Sequence, residues 1–298
     1  MGKILNYGSI NIDEFFAVPH ICRSGETMSS TDYFVRAGGK GANQSVALAK
    51  AHGNVYHAGK VGKDAVWNNG RAFIQLSAET NDNCIVLFPG TNGTYTVEQA
   101  AKVLESFGPG DWIVQQNEIS HGGEIMQLAI EKGLSVFFNP APLTKGILNQ
   151  FPFDKVAILV VNETEGDDLY NELGGQKKVT GLDLATELLN HFSGMKGIIL
   201  TLGGQGLVAK FRHDGAERDF HVPSRKVAVK DTTGAGDTFV GYFLSSFVRE
   251  EKNMDYFARV QYALEEATFA ASIAVSRPGA MISVPTLEEV REQQAKDH

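Results

Sequence analysis

Only two cysteines, Cys22 and Cys84, occur in the 298 residues. That is too few to staple a chain of this length, so a disulfide scaffold is excluded and both read as buried, reduced thiols of a cytoplasmic protein. No apolar run approaches the about 18 residues of a membrane span. The opening Met1-Gly2-Lys3-Ile4-Leu5-Asn6-Tyr7 turns polar before any signal-like stretch develops. Positive charge is also scarce, with 27 Lys and Arg against 35 Asp and Glu and a formal net charge of −8. Neither a nucleic acid nor an anionic membrane is therefore expected as a partner. Missing too are a Gly-x-x-x-x-Gly-Lys-Ser/Thr loop, a Gly-x-Ser-x-Gly elbow and a His-Glu-x-x-His pair, which removes P-loop, serine-hydrolase and zinc chemistry. After the first strand, Gly8-Ser9-Ile10-Asn11-Ile12-Asp13 lacks the three glycines of a dinucleotide fingerprint, leaving a nicotinamide dehydrogenase as a weak runner-up.

What is present is an ordinary globular composition, 43% hydrophobic and 21% charged. The length suits about two domains, or one large α/β domain carrying an elaboration. Apolar β-rich runs predict strands over Lys3–Ile12, Asn54–Val61, Arg71–Leu76, Cys84–Phe88, Trp112–Gln115, Ser135–Asn139, Ala157–Val161 and Gly197–Leu202. Amphipathic stretches predict helices over Asn43–Ala51, Val97–Phe107, Gly122–Lys132, Gly181–Phe192, Ala235–Arg249 and Asp255–Val275. From Trp112 onward strand and helix alternate, the pattern of an α/β, doubly wound, mostly parallel sheet flanked by helices, with ligands beyond the strands' carboxyl ends. Thr27–Val35 alternates polar and apolar residues with no helix on either side, as a small accessory sheet would.

Three segments carry chemistry. Asn11 and Asp13 alternate on a strand and point the same way, as hydroxyl-binding groups at a strand end should; the same pair also suits a turn bonded to its own backbone. Ala37-Gly38-Gly39-Lys40-Gly41-Ala42-Asn43-Gln44 opens an apolar helix with glycines that admit close backbone approach and with unpaired N–H groups. Asp231-Thr232-Thr233-Gly234-Ala235-Gly236-Asp237-Thr238-Phe239 sets small residues at a loop-to-helix junction, an anion site with a carboxylate in its first turn. That carboxylate reads either as a helix cap or as a base taking the proton of an attacking hydroxyl while the N–H groups hold a phosphoryl group.

At these residues the chain resembles the ribokinase-like carbohydrate kinases. Gly38–Gly53 matches one family signature and Asp231–Phe243 the other, with Tyr242 where a smaller residue is usual. Gly25-Glu26-Thr27, Phe138-Asn139-Pro140-Ala141-Pro142, Asn162-Glu163-Thr164-Glu165, Thr201-Leu202-Gly203 and Arg277-Pro278-Gly279-Ala280 follow in the family's order, so the resemblance covers nearly the whole chain. It implies one kinase domain over 1–298, with a small β-sheet lid formed by strands at roughly 13–36 and 70–90. It implies Asp237 as catalytic base, with Gly234, Ala235 and Gly236 as the anion hole. Asn11, Asp13, Gly39, Lys40, Asn43 and Glu118 would bind the sugar. Asn162 and Glu165 would tune Mg²⁺ and phosphate binding, and Thr201, Gly203 and Gly206 would line ATP. A K⁺ site would be built from Asp231, Thr233, Ala274, Arg277, Gly279 and Ser283. The implied reaction is ATP-dependent phosphorylation of D-ribose at its 5-hydroxyl, by a homodimer joined through the lid.

One departure from the family stands out. Val61-Gly62-Lys63-Asp64-Ala65 leads through Val66-Trp67-Asn68-Asn69 straight into Gly70-Arg71-Ala72-Phe73, so an apparent deletion near 66–69 removes about 20 residues, roughly a helix and a strand. Either the chain is a natural or spliced variant, or its numbering skips residues that the protein has. Two other readings accompany ribose phosphorylation: a kinase of another sugar or nucleoside, and a sugar-binding protein impaired by the missing lid segment.

Overall fold

Alternate residues of a buried strand face opposite sides of its sheet, and here each side has its own helices. In Ile158–Asn162 (β9), Ile158 and Val160 enter one apolar cluster while Leu159 and Val161 enter another. The computed structural model describes residues 2–63, 68–80, 83–176, 178–249 and 254–296. Its larger sheet contains Ile4–Tyr7 (β1), Val55–Ala58 (β4), Trp112–Gln115 (β7), Ser135–Phe138 (β8), β9, Gly197–Thr201 (β10), Leu207–His213 (β11) and Ala216–Val222 (β12). The spatial order is β12-β11-β10-β9-β8-β7-β1-β4. The six strands from β10 to β4 run parallel, and β11 and β12 add an antiparallel edge.

On one side lie Lys40–Lys50 (α1), Ala235–Val248 (α6), Tyr256–Val275 (α7) and Leu287–Gln294 (α8); on the other lie Val97–Leu104 (α2), Gly122–Glu131 (α3), Glu163–Glu172 (α4) and Gly181–His191 (α5). Helix α6 is buried from Asp237 to Phe247. Phe239, Phe243 and Phe247 repeat every four residues and stack at 6.1 and 5.8 Å, each ring contributing about 1.5–3 kcal/mol by burial. Gly241 of α6 meets α1 directly: a Cβ there would lie 2.4 Å from Ala47 Cβ. One turn before it stands Asp237, so the close helix crossing carries the start of α6 to the start of α1.

The second sheet has four strands, Asp32–Gly38 (β3), Asn11–Val18 (β2), Gly70–Ser77 (β5) and Asn83–Phe88 (β6), in the order β3-β2-β5-β6. Its buried apolar residues are few: Phe15, Ala72 and Ile74, with Phe34 and Leu76 packed against them, and Val18 at the end of β2. The single strand expected over Lys3–Ile12 is two strands in different sheets, β1 and β2, separated by Gly8-Ser9-Ile10. A Cβ on Gly8 would fall 2.3 Å from Gln116 Oε1 and 2.8 Å from Gly41 Cα, so the chain turns where only glycine fits. Helix α1 begins at Lys40 rather than Asn43, and the strand expected over Asn54–Val61 is confined to β4. The hairpin β11–β12 and the helices α4 and α8 lie outside the sequence-based expectation. The link at 66–69 falls partly on residues 66 and 67, which lie outside the described residues.

Candidate active site

The order in which strands are added to the larger sheet reverses at β1: β4 lies on one side of it, and β7, β8, β9 and β10 follow on the other. Ligands of open α/β sheets bind at such a switch point, beyond the carboxyl ends of the strands. The segments leaving β1 and β7 carry Ser9, Asn11, Asp13, Gln116 and Glu118, and both helix starts, α1 and α6, converge on them.

The paired glycines before α1 have separate causes. A Cβ on Gly38 would sit 1.8 Å from Asp13 Oδ2, so the bare backbone accommodates that carboxylate. Gly39 holds φ at 93° as the residue preceding α1, 2.9 Å from Asn11 N when given a Cβ. The turn delivers Lys40 N to Glu118 Oε2 at 3.0 Å, and Glu118 also accepts a hydrogen bond from Ser9 Oγ. Asn11 Oδ1 accepts from Asn92 Nδ2 at 2.7 Å. Asn11, Asn92 and Glu118 line a cavity of about 340 Å³, closed on the lid side by Leu87 and Phe88 of β6.

Asp237 is 8% exposed and accepts at both carboxylate oxygens, from Asn43 Nδ2 at 2.9 Å and Gln44 Nε2 at 3.0 Å. Buried Asp13 Oδ1 and Asn43 Oδ1 have no hydrogen-bond partner within the protein, which leaves an acceptor on each for a polyol. Burial pushes the Asp13 carboxyl up to about 7, the charges of Glu118 and Asp237 add to the rise, and Lys40 opposes it. Glu118 is raised for the same first reason, against the pull of Lys40. Burial alone would lower the Lys40 ammonium, yet the charges of Asp237, Glu118, Glu165 and Asp13 outweigh it and hold it above its ordinary value. One lysine thus balances four carboxylates. All six residues expected at the sugar, with the expected base, belong to this one neighbourhood.

The residues expected at the nucleotide lie at the ends of β9 and β10. Asn162 and Glu165 form a capping box that starts α4: Glu165 N donates to Asn162 Oδ1 at 2.8 Å, and Asn162 N to Glu165 Oε2 at 2.9 Å. The capping role is real, and the charge of Glu165 still reaches Lys40. Thr201 ends β10 in register with Asn162, and Gly203 and Gly206 follow in the turn to β11. Gly206 sits at φ 96°, where a Cβ would collide with Val222 O at 2.1 Å. Gly234, at φ 76°, precedes α6, so the first N–H groups of a long buried helix open beside Asp237.

Asp231 ties two loops together, accepting from Thr233 N at 2.9 Å and Gly279 N at 2.8 Å. Burial acts to raise its carboxyl, but these bonds and Arg36 hold it below its ordinary value. Arg277 spends its guanidinium on Glu289, which leaves it only its carbonyl to offer a cation, and Ser283 donates its hydroxyl hydrogen to Ala280 O. Among the described residues no three His, Cys, Asp or Glu side chains cluster as metal ligands. A cation at this loop would therefore rest on carbonyl oxygens and Asp231, a donor set that fits a hard monovalent ion.

Sequence reasoning assigned no role to Gln44, Gln116, Asn6, Asn92 and Ser9, all buried polar residues around the site. No local signal marked them: Gln44 stands two residues before the apolar Val46-Ala47-Leu48 run of α1, as a surface glutamine at a helix start would.

A buried carboxylate in the first turn of a helix, grouped with Asp13, Lys40 and Glu118 at the switch point of the sheet, suits a phosphotransferase acting on an alcohol. Residues 1–69 and 66–287 match the pfkB family carbohydrate kinases. The chain belongs to that family. It is 31% identical over 318 residues to the ribokinase of Staphylococcus aureus, covering 97% of this chain and 99% of that one. The Thermotoga maritima ribokinase structure superposes with a TM-score of 0.84 at 29% identity, over 99% of this chain and 100% of that one. The Cryptococcus neoformans ribokinase in complex with ADP gives 0.78 at 33% identity, over 98% and 100%. Among the described residues no helix is long and apolar enough to cross a membrane.

Proposed function

We propose that the protein phosphorylates D-ribose at its 5-hydroxyl, using ATP and releasing ADP. The observation that carries the reading is Asp237, oriented by two amides at the start of α6 and near enough to Asp13, Lys40 and Glu118 for its charge to act on all three. Full-length similarity to ribokinases, one of them bound to ADP, supports ribose as acceptor and ATP as donor. Asn11, Asp13, Gly39, Lys40, Asn43 and Glu118 hold the sugar. Asp237 takes the hydroxyl proton as the sugar oxygen bonds to the γ-phosphorus and the bond to the β-phosphate oxygen breaks. Gly234, Ala235 and Gly236 donate N–H groups to the transferring phosphoryl group. Thr201, Gly203 and Gly206 line the nucleotide.

Glu165, with Asn162, is the carboxylate placed to serve Mg²⁺, which when bound neutralises phosphate charge. The loop of Asp231, Thr233, Ala274, Arg277, Gly279 and Ser283 suits K⁺, which when bound fixes the anion-hole loop; activity in K⁺ several-fold above that in Na⁺ is the expected sign. The lid's outer face exposes Tyr33, Val35, Phe73 and Val86 around the Glu14–Arg71 ion pair, and we assign it to a homodimer. We read a segment near 66–69 as missing relative to the family; the division of the family match there and a 318-residue alignment longer than this chain support that reading. Coupled measurement of ADP release across pentoses, hexoses and nucleosides tests the proposal. Ribose should dominate; equal turnover of a hexose or nucleoside would overturn the assignment.

A further inference from the structure

A catalytic carboxylate must be aimed as well as present, and the hydrogen bonds behind Asp237 run in one direction. The chain starts at a backbone carbonyl. Asn6 Nδ2 donates to Gly41 O at 2.7 Å and to Ser45 Oγ at 2.9 Å, which fixes Asn6 Oδ1 as an acceptor. Gln116 Nε2 donates to that oxygen at 3.1 Å and to Gln44 Oε1 at 2.6 Å. With its oxygen so committed, Gln44 turns both hydrogens of Nε2 outward, one to Asp237 Oδ1 at 3.0 Å and one to Asn139 Oδ1 at 3.1 Å. A second carbonyl settles that last partner, since Asn139 Nδ2 donates to Val160 O at 3.0 Å. Fixed backbone acceptors at both ends leave the Gln44 amide one orientation, with its donor toward the base. Asn6 and Gln44 are completely buried and Gln116 is 1% exposed, so water cannot substitute for a lost link.

From this network we infer that Gln44 is a positioning residue for the phosphoryl transfer, and that Gln116 and Asn6 set its orientation. The inference rests on Asp237 acting as the base. Asn43 holds the other carboxylate oxygen, but its own Oδ1 has no partner within the protein, which leaves it an acceptor for substrate while its amide holds the base. Gln44 has no atom left for substrate. Its effect must therefore pass through Asp237, and neutral amides orient a carboxylate without pairing its charge.

Gln44→Met keeps length and burial but loses the donor. Small misplacements of a reacting group cost up to about 10²-fold, so kcat should fall about 10-fold or more while the ribose and ATP KM values stay within about threefold. Placed on Asp237→Asn, the same change should leave the residual kcat within about twofold, because coupled positions are non-additive. Gln116→Met, which reaches Asp237 only through Gln44, should show the same pattern at smaller size, and it carries the test if Gln44→Met does not fold by circular dichroism. Full turnover in a folded variant, a raised ribose KM with unchanged kcat, or an equal loss in both backgrounds would each overturn the role. Absence of ribose-dependent ADP release by the unaltered protein would overturn the reaction assignment, and this inference with it.

Discussion

The two sheets solve different problems with similar strands. In the larger one, β7 to β10 are buried on both faces between two helix layers, and the residues that would handle phosphoryl transfer stand on that frame: Asp237 and Gly234 at the start of α6, Gln44 on α1, Thr201 at the end of β10. The smaller sheet buries four apolar side chains and leaves Ile85, Val86, Leu87 and Phe88 of β6 all more than 40% exposed. It nonetheless contributes Asn11 and Asp13 through β2, whose alternation sends Asp13 toward the site and Glu14 to the outer face. A well-packed frame keeps reacting groups within fractions of an ångström, while a thinly packed sheet can close over a ligand that completes its core. The expected chemistry falls to the frame, whereas the expected sugar contacts are shared: Gly39, Lys40, Asn43 and Glu118 come from the frame, and Asn11 and Asp13 from the lid.

The sharpest way to break that division is at Asp237. Asp237→Asn preserves the amides of Asn43 and Gln44 as neighbours but removes the base, so kcat should fall by about 10²–10⁴-fold. Ribose and nucleotide affinity should survive nearly intact. Equilibrium binding beside single-turnover rates checks this, and lost binding with normal turnover of the bound fraction would contradict it.

On the lid, Asp13→Asn should act in the opposite sense. A charged hydrogen bond to a sugar hydroxyl contributes about 1.5–3 kcal/mol, so the ribose KM should rise about 10- to 10²-fold with kcat changed far less. Its pH dependence follows from burial, which raises Asp13 to about 7. Donor hydroxyls favour the ionised form, so ribose affinity should tighten as pH rises through about 7 and level off above. Affinity independent of pH from 5.5 to 8.5 would remove Asp13 from the sugar site.

These two residues also mark what could be read from the sequence. Asp237 was legible because its loop combines small residues with a helix start, and Asn11 and Asp13 because alternation puts them on one face. The buried amides were not, since nothing local distinguishes Gln44 or Gln116 from surface glutamines until α1, β1 and β7 converge. The hairpin β11–β12 was hidden by charges, which pair across the strands as Lys210 with Glu217 and Asp219. Its Asp214-Gly215 turn was the missed signal. Helix α4 was hidden by Glu163-Thr164-Glu165-Gly166-Asp167-Asp168, where capping replaces apolar periodicity. Neither omission touched the order of strands that sets the switch point.

A smaller effect is expected on the lid's outer face. Phe73 and Val86 pair directly across β5 and β6 and are 38% and 60% exposed. Val86→Glu would put a charge into the assigned dimer surface at little cost to the monomer's own packing. Light scattering should show a shift from dimer to monomer, with ribose KM raised more than kcat is lowered. A monomeric unaltered protein, or an unshifted variant, would free this face of that role.

The last contrast is in stability without sugar. A carboxyl raised from 3.8 to about 7 binds more protons folded than unfolded between those values. Stability therefore falls as pH rises through that window, the reverse of an ordinary paired carboxylate, by on the order of a few kcal/mol at most. Glu118 is raised in the same sense, so Asp13→Asn should flatten the slope without abolishing it. Chemical denaturation from pH 4.5 to 8 should find the variant more stable than the unaltered protein above pH 7 and close to it near pH 4.5. Ribose should narrow the gap at pH 8, because hydroxyl donors satisfy the Asp13 oxygen that lacks a protein partner. An equal slope in both proteins would mean that burial of Asp13 costs the lid nothing, and the trade of stability for recognition would have to be sought elsewhere in β2.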